Sequence, residues 1–287
     1  MKIESDTKSL SNCAFPPGHY YSPIPSINEL KKDENRIFKP IPRFIPGINL
    51  RIKEQLSLLD YSFYSFYNEL SFSPRKKSGF RYYYDNPFYS YGDAITLYCM
   101  LRYLNPLRII EIGSGFSSCV ILDTCQQSLN NKPKCTFIEP YPDRLLSLIL
   151  PNDKQKLDLV STRFQDVSLD IFNELNQNDI LFIDSTHVSK TGSDVNRLYL
   201  EVLPNLNSGV YIHIHDIFYP FEYPKEWVYE GRAWNEIYLL NAFLQFNNRF
   251  EIVFFNSMLS LLEPNHLFSS MPLYKNNPGG SIWLRKL

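Results

Sequence analysis

Five short segments of this 287-residue chain gather residue types that can do chemistry. The first is Glu111-Ile112-Gly113-Ser114-Gly115-Phe116-Ser117-Ser118, in which two glycines let the backbone turn tightly and meet a ligand with no Cβ in the way. A dinucleotide fingerprint would want a third glycine where Ser118 stands. The carboxylate of Glu111 suits a cationic ligand, such as an amino-acid ammonium group beside a sulfonium. The second segment, Phe137-Ile138-Glu139-Pro140, sets an acid roughly twenty residues beyond the glycines, where a carboxylate accepts from ribose hydroxyls. The third, Arg163-Phe164-Gln165-Asp166, offers an amide and a carboxylate to an exocyclic amine such as that of adenine. The fourth and fifth, Asp184-Ser185-Thr186-His187 and His213-Ile214-His215-Asp216, bring three of the five histidines beside two aspartates. Carboxylates that close either share a proton or hold a cation.

These segments need elements that deliver them to one place. From Arg108 onward short apolar runs alternate with helical segments: RIIEIG, KCTFIEP, KLDLVSTRF, DILFIDS, GVYIHIHDI, then FEIVFFNSML and GGSIWLRKL. Helices are expected at Ser117–Leu129, Asp143–Leu150, Leu169–Leu175 and Ser193–Leu206. Strands alternating with helices imply βαβ units and a parallel sheet covered on both faces. In such sheets ligands sit beyond the C-terminal strand ends, where these segments fall. The last two runs are separated by a Pro- and Asn-rich stretch with no good helix, which suits an antiparallel final pair. The expected fold is a doubly wound, Rossmann-like α/β sheet in residues 81–287. Residues 1–80 form an N-terminal extension, an extended Pro- and aromatic-rich arm followed by a helix over Leu50–Leu70, which packs on or caps the active site. A further helix, Asp93–Leu104, leads into the first central strand.

Composition narrows the function. With 44% hydrophobic and 21% charged residues the chain is too apolar to be disordered. Its net charge of -1 provides no basic excess for a nucleic-acid backbone. Five widely spaced cysteines without a CxxC pair suit reduced thiols of the cytoplasm. The N-terminal MKIESDTKSLSNC lacks the apolar core of a signal peptide, and no run is long enough to span a bilayer. A soluble, cytoplasmic protein with a small-molecule partner, and neither nucleic acid nor membrane, is expected. The sequence does not set the oligomeric state.

In their order, EIGSGFSS, FIEP, FIDSTH and HIHD followed by a terminal strand pair resemble class I S-adenosylmethionine-dependent methyltransferases over about residues 80–287. The likeness is to the small-molecule O-methyltransferase-like group associated with sugar and natural-product modification. It implies a seven-stranded sheet with an antiparallel last strand and S-adenosylmethionine as cofactor. It also implies that Glu111, Gly113, Ser114, Gly115 and Ser117 serve the methionine half, Glu139 the ribose, and Gln165 and Asp166 the adenine, with Asp184 beside them. His187 is implied as general base, with Asp184 and His215 completing the catalytic set. In metal-dependent relatives acids at these strand ends hold Mg²⁺, here Asp184 and Asp216. The nitrogen ligand His215, where those relatives often carry an acid, departs from what a hard cation prefers.

The implied reaction is methyl transfer to a hydroxyl of a small, sugar-like acceptor. A base is needed because such a hydroxyl is a weak acid, and an unperturbed histidine, with a pKa of roughly 6.5, suits the task. Rivals on the same sheet are an NAD-dependent oxidoreductase, an iron-dependent hydroxylase similar to cephalosporin hydroxylase-like proteins, and a partner-binding protein that keeps a cofactor pocket. The segment Pro220–Trp234 is expected to be a lid whose Tyr223, Trp227, Tyr229 and Trp234 either stack on an acceptor or pack the loop.

Overall fold

The computed structural model describes residues 13–287, so the charged N-terminal segment read above falls almost wholly outside the described residues. A seven-stranded sheet forms the centre, in the order β3-β2-β1-β4-β5-β7-β6. Its strands are β1 (Arg108–Ile112), β2 (Lys134–Ile138), β3 (Asp158–Val160), β4 (Ile180–Ile183), β5 (Tyr211–His215), β6 (Phe250–Phe255) and β7 (Ser281–Lys286). The first five are parallel, and β7 runs antiparallel between β5 and β6. The strand order reverses at β1 and β4, which places the switch point between the first and fourth motifs. Burial explains the composition of the strands: β4 and β5 are covered on both faces, so ILFI and YIHIH carry no exposed position.

Helices α4 (Tyr91–Leu104) and α5 (Phe116–Ser128) pack against each other, both largely buried. Short helices α6 (Asp143–Leu148) and α7 (Asp170–Asn173) follow β2 and β3. The helix expected at 193–206 is three pieces: α8 (Asp194–Arg197), a π-helical turn (Leu198–Val202) and α9 (Leu203–Asn205). The expected helix at 50–70 is likewise α2 (Ile52–Leu58), a π-helical turn (Leu59–Phe63) and α3 (Tyr64–Tyr67). This segment belongs to the core. Phe63 packs tilted against Phe254, and fully buried Gln55 accepts the Phe255 N–H at 2.8 Å.

Three expectations are corrected. The arm is not wholly extended: Ser26 caps α1 (Ile27–Phe38), a helix with no buried residue. The stretch between the last strands is not helix-free, because α12 (Asn256–Leu262) and α13 (Pro264–Ser270) fill it. Pro264 stands in the first turn of α13, where a missing N–H costs nothing. The run KLDLVSTRF pairs only through Asp158–Val160, since β3 is an edge strand with a single neighbour. Between β5 and β6 lie α10 (Lys225–Tyr229) and α11 (Glu236–Leu244). Among the described residues no helix is long and apolar enough to cross a membrane.

Candidate active site

The turn after β1 is built around Gly113. Its φ is +81°, and a Cβ there would lie 2.0 Å from the Asp184 carbonyl oxygen. That close approach lets the ends of β1 and β4 frame a single cavity of about 370 Å³, lined by Gly113, Glu139, Tyr141, Phe164, Gln165 and Asp184 among others. Glu139 is oriented by two backbone donors, Ser114 N–H at 3.2 Å and Tyr141 N–H at 2.8 Å. The Ser114 hydroxyl is buried with no partner in the protein, and Ser114 does not line the cavity.

Glu111 stands behind the turn. It is fully buried and lines no part of that cavity; its two oxygens accept the hydroxyls of Ser117 and Ser118. Burial pushes its carboxyl up to about 8 against the help of those hydroxyls. Ser118 Oγ in turn accepts the Gly115 N–H at 3.0 Å, so this trio braces the glycine turn from behind. Ser117 is spent in the same way. Asp166 is exposed and pairs with Arg163, leaving Gln165 alone of the two on the cavity wall. Gly115 does not line the cavity either and starts α5.

The second half of the site is a cluster of charge around His187. Its Nε2 lies 3.4 Å from Asp184 Oδ1 and 3.6 Å from Asp216 Oδ2, while its Nδ1 sits 2.9 Å from Glu236 Oε2. His187 and Asp216 both hold left-handed backbone, φ +60° and +55°. Such conformations cost about 1–3 kcal/mol and collect at functional sites. The loop is pinned to the start of α11, where the N–H groups of Asn235 and Glu236 donate to the His187 carbonyl at 3.0 and 3.1 Å. On its other side Thr186 is held by Asp194 through both hydroxyl and N–H.

Burial disfavours the imidazolium, but the hydrogen bonds and charges of Asp184 and Glu236 prevail and hold His187 well above the ordinary histidine range. The expectation of an unperturbed histidine is therefore corrected. Burial also opposes ionisation of Asp184, yet His215 and His187 keep it below the usual carboxylate range. Burial lifts Asp216 despite the same two histidines. His215 Nε2 is 3.6 Å from Asp216 Oδ1 and its ring tilts against Tyr89, so it backs Asp216 and does not line the cavity between β1 and β4. His213 sits deeper in the core, stacked on Phe182, with both ring nitrogens unpartnered.

Glu236 was not foreseen. It opens an apolar helix far along the chain, where an acid reads as a partner for the helix dipole, and only the fold brings it to His187.

A family model described as "Methyltransferase domain" matches residues 110–217, the stretch from β1 to just past β5 that carries every one of these residues except Glu236. An uncharacterised protein of Archaeoglobus fulgidus is 36% identical over 170 residues, covering 58% of this chain and 76% of that protein. The chain belongs to the class I S-adenosylmethionine-dependent methyltransferases. Solved structures similar to this methyltransferase include the O-methyltransferase TomG from Streptomyces achromogenes (12% identity, 90% of this chain and 96% of that one, TM-score 0.45). Another is the methyltransferase PaMTH1 of Podospora anserina (14% identity, 68% and 77%, TM-score 0.43).

In this methyltransferase the residues present do not fit the Mg²⁺ considered for Asp184 and Asp216. The His187 Nε2–H stands where a cation shared by the two acids would sit, and His215 offers nitrogen where a hard ion wants oxygen. Among the described residues no three His, Cys, Asp or Glu are placed to hold a metal.

A larger cavity of about 970 Å³ lies at the opposite strand ends, beside Lys134 and Asp158, away from this chemistry. The lid segment encloses another of about 550 Å³, whose wall residue Trp234 packs against His187 with ring centroids 4.6 Å apart.

Proposed function

We propose that this methyltransferase binds S-adenosylmethionine in the cavity between β1 and β4 and transfers its methyl group to a hydroxyl of a small molecule. The observation that carries the proposal is the abutment of two half-sites. A glycine turn with an oriented ribose-type acid, Glu139, opens directly onto Asp184, which His187 contacts at 3.4 Å. The Cβ-free approach at Gly113 fits the cofactor. Glu139 keeps lone pairs for the 2′ and 3′ hydroxyls, and Gln165 faces the base.

When bound, the cofactor supplies a methyl group already activated on a sulfonium, so the chain has to align the acceptor and take its proton. Asp184 presents a negative charge to the cofactor cavity from a side chain about one-third exposed. His187 is the general base in its neutral form: Nε2 takes the hydroxyl proton as the new carbon–oxygen bond forms. Glu236 fixes the ring through Nδ1 and stabilises the imidazolium that results, as a buried acid does for a catalytic histidine. No carboxylate is required to leave its place.

Calorimetric titration tests the reading. S-adenosylmethionine and S-adenosylhomocysteine should bind the full chain in the micromolar range and NADH should not, with Mg²⁺ making no difference. Failure of both sulfur ligands to bind would remove the proposal.

A further inference from the structure

The lid cavity departs in chemistry from what a sugar-like acceptor needs. Its walls come from the N-terminal arm, with Pro17, Ile24 and Ile27, and from the lid, with Tyr223, Trp227 and Trp234. Trp227 and Trp234 meet edge to face at 5.5 Å, and the Arg232 guanidinium covers the Trp227 ring at 3.9 Å. A sugar is held by stacking together with many hydrogen bonds to its hydroxyls, and unmet hydroxyls are costly. Here most of the polar side chains on the wall are already engaged. Glu222 accepts from the Tyr223 N–H and the Tyr238 hydroxyl, and both ends of the Asn235 amide are bonded to the Ser189 backbone. The Tyr229 hydroxyl donates to Glu34, and Arg232 is paired with Glu230. Aromatic and aliphatic carbon makes up most of what remains to receive a ligand.

We infer that the acceptor is a planar aromatic compound bearing a hydroxyl, seated between the arm and the lid. The inference rests on the methyltransferase reading for the direction in which that hydroxyl points. Trp234 is the link: it lines this cavity and packs on His187, whose Nε2 faces Asp184 on the cofactor side. A flat ring laid on Trp234 is one indole away from the imidazole of the base. The volume, about 550 Å³, is in the range of small-molecule sites. The arm thereby gains a function, since α1 buries no residue in the core and its Glu34 ties it to Lys225 and Tyr229 of the lid.

The test is calorimetry on the full chain with 7-hydroxycoumarin, with methyl α-glucoside and, separately, with S-adenosylhomocysteine. The coumarin should bind and the glucoside should not. Ile27→Asp puts a carboxylate into the apolar wall at a half-exposed position, and an acid in the first turn of α1 suits the helix dipole, so the fold is spared. It should weaken the coumarin about tenfold or more and leave S-adenosylhomocysteine affinity unchanged. Trp227→Ala should act the same way. Glucoside binding, absence of coumarin binding, or coumarin binding indifferent to both substitutions would overturn the inference. Loss of S-adenosylhomocysteine binding alone would instead strike the methyltransferase reading, so the two failures are distinguishable.

Discussion

His187 and Glu236, 49 residues apart in the chain, meet at 2.9 Å inside the protein, with Nδ1 of the ring against Oε2 of the acid. Glu236 is fully buried and its other oxygen has no partner, so its charge has little but the imidazole to answer it. The pair sets how the site responds to pH. His187 is held well above the ordinary histidine range, and the neutral base forms only as pH rises through that elevated value. The rate of methyl transfer should therefore climb on the alkaline side of neutrality. Glu236→Gln removes one of the charges that raises the ring, and the rising limb of kcat/KM should shift to lower pH. His187→Ala should cost about 10²- to 10⁴-fold in kcat and leave S-adenosylhomocysteine affinity intact. An unmoved pH profile in Glu236→Gln would remove Glu236 from the mechanism.

The same shift bears on stability. A histidine whose folded pKa exceeds its unfolded value stabilises the fold fully below roughly pH 6.5, and that contribution fades as pH rises through the folded value. Thermal melts of the protein and of His187→Gln should differ most at pH 6 and converge as the pH is raised. A gap that widens with pH would contradict the assignment.

Glu139 is positioned by Ser114 and Tyr141 before any ligand arrives, so no reorganisation is needed when ribose hydroxyls donate to it. Hydrogen bonds to a charged group contribute about 1.5–3 kcal/mol. Glu139→Ala should weaken S-adenosylhomocysteine roughly 10- to 100-fold by calorimetry. Glu111→Gln should have a much smaller effect on affinity, because Glu111 braces the turn and does not face the cavity. Equal losses in the two variants would restore a direct role for Glu111.

Much of this arrangement was legible in the residues, and the parts that were not have physical reasons. RIIEI, ILFI and YIHIH read as strands because β-branched runs bounded by glycine or acid have few other uses in a doubly wound sheet. Gly113, Glu139, Gln165 and Asp184 were foreseen because strand ends are where such sheets bind ligands, and they do share one cavity. Direction within a turn was not foreseen. Glu111 and Glu139 both stand at strand ends, but one faces the serines of α5 and the other the cavity, a choice made by packing. Glu236 escaped notice because nothing local marks an acid that will meet a histidine from another crossover. The helices α12 and α13 were missed because the stretch is rich in Pro and Asn, although Pro264 serves as a helix starter.

Gly113 allows a narrow prediction. Its φ of +81° is unfavourable for any side chain, and its Cβ position overlaps the Asp184 carbonyl oxygen at 2.0 Å. The clash is with backbone, which cannot swing away without separating the ends of β1 and β4. Gly113→Ala should therefore lower the thermal midpoint and abolish S-adenosylhomocysteine binding together. Gly192→Ala, at a positive φ with open space around it, should lower the midpoint slightly and leave binding unaffected. A Gly113→Ala protein that bound the ligand normally would show that the two strand ends are not held by this contact.

Far from the cofactor cavity, Arg81 joins the aromatic segment before α4 to α5 and the loop after α6. Its guanidinium pairs with Asp123 at 2.7 Å and Asp153 at 2.6 Å. The two acids differ in setting. Burial lifts Asp123 above the usual range despite four bonds from the Arg81 and Tyr82 backbone and the guanidinium. Asp153 lies nearer the surface, and although burial opposes its charge, Arg81 and the Leu150 N–H hold it below that range. Arg81→Ala would strand the Asp123 carboxylate in the interior, at a cost of about 3–5 kcal/mol in urea unfolding. Asp153→Asn should cost much less. The sign of the pH effect follows: a depressed acid stabilises above its unfolded pKa, near 3.9, and that help is lost as pH falls through the folded value. Asp153→Asn should therefore differ from the natural protein at pH 6 and approach it in acid, while equal destabilisation by the two substitutions would mean that burial of Asp123 does not decide the energetics of the network.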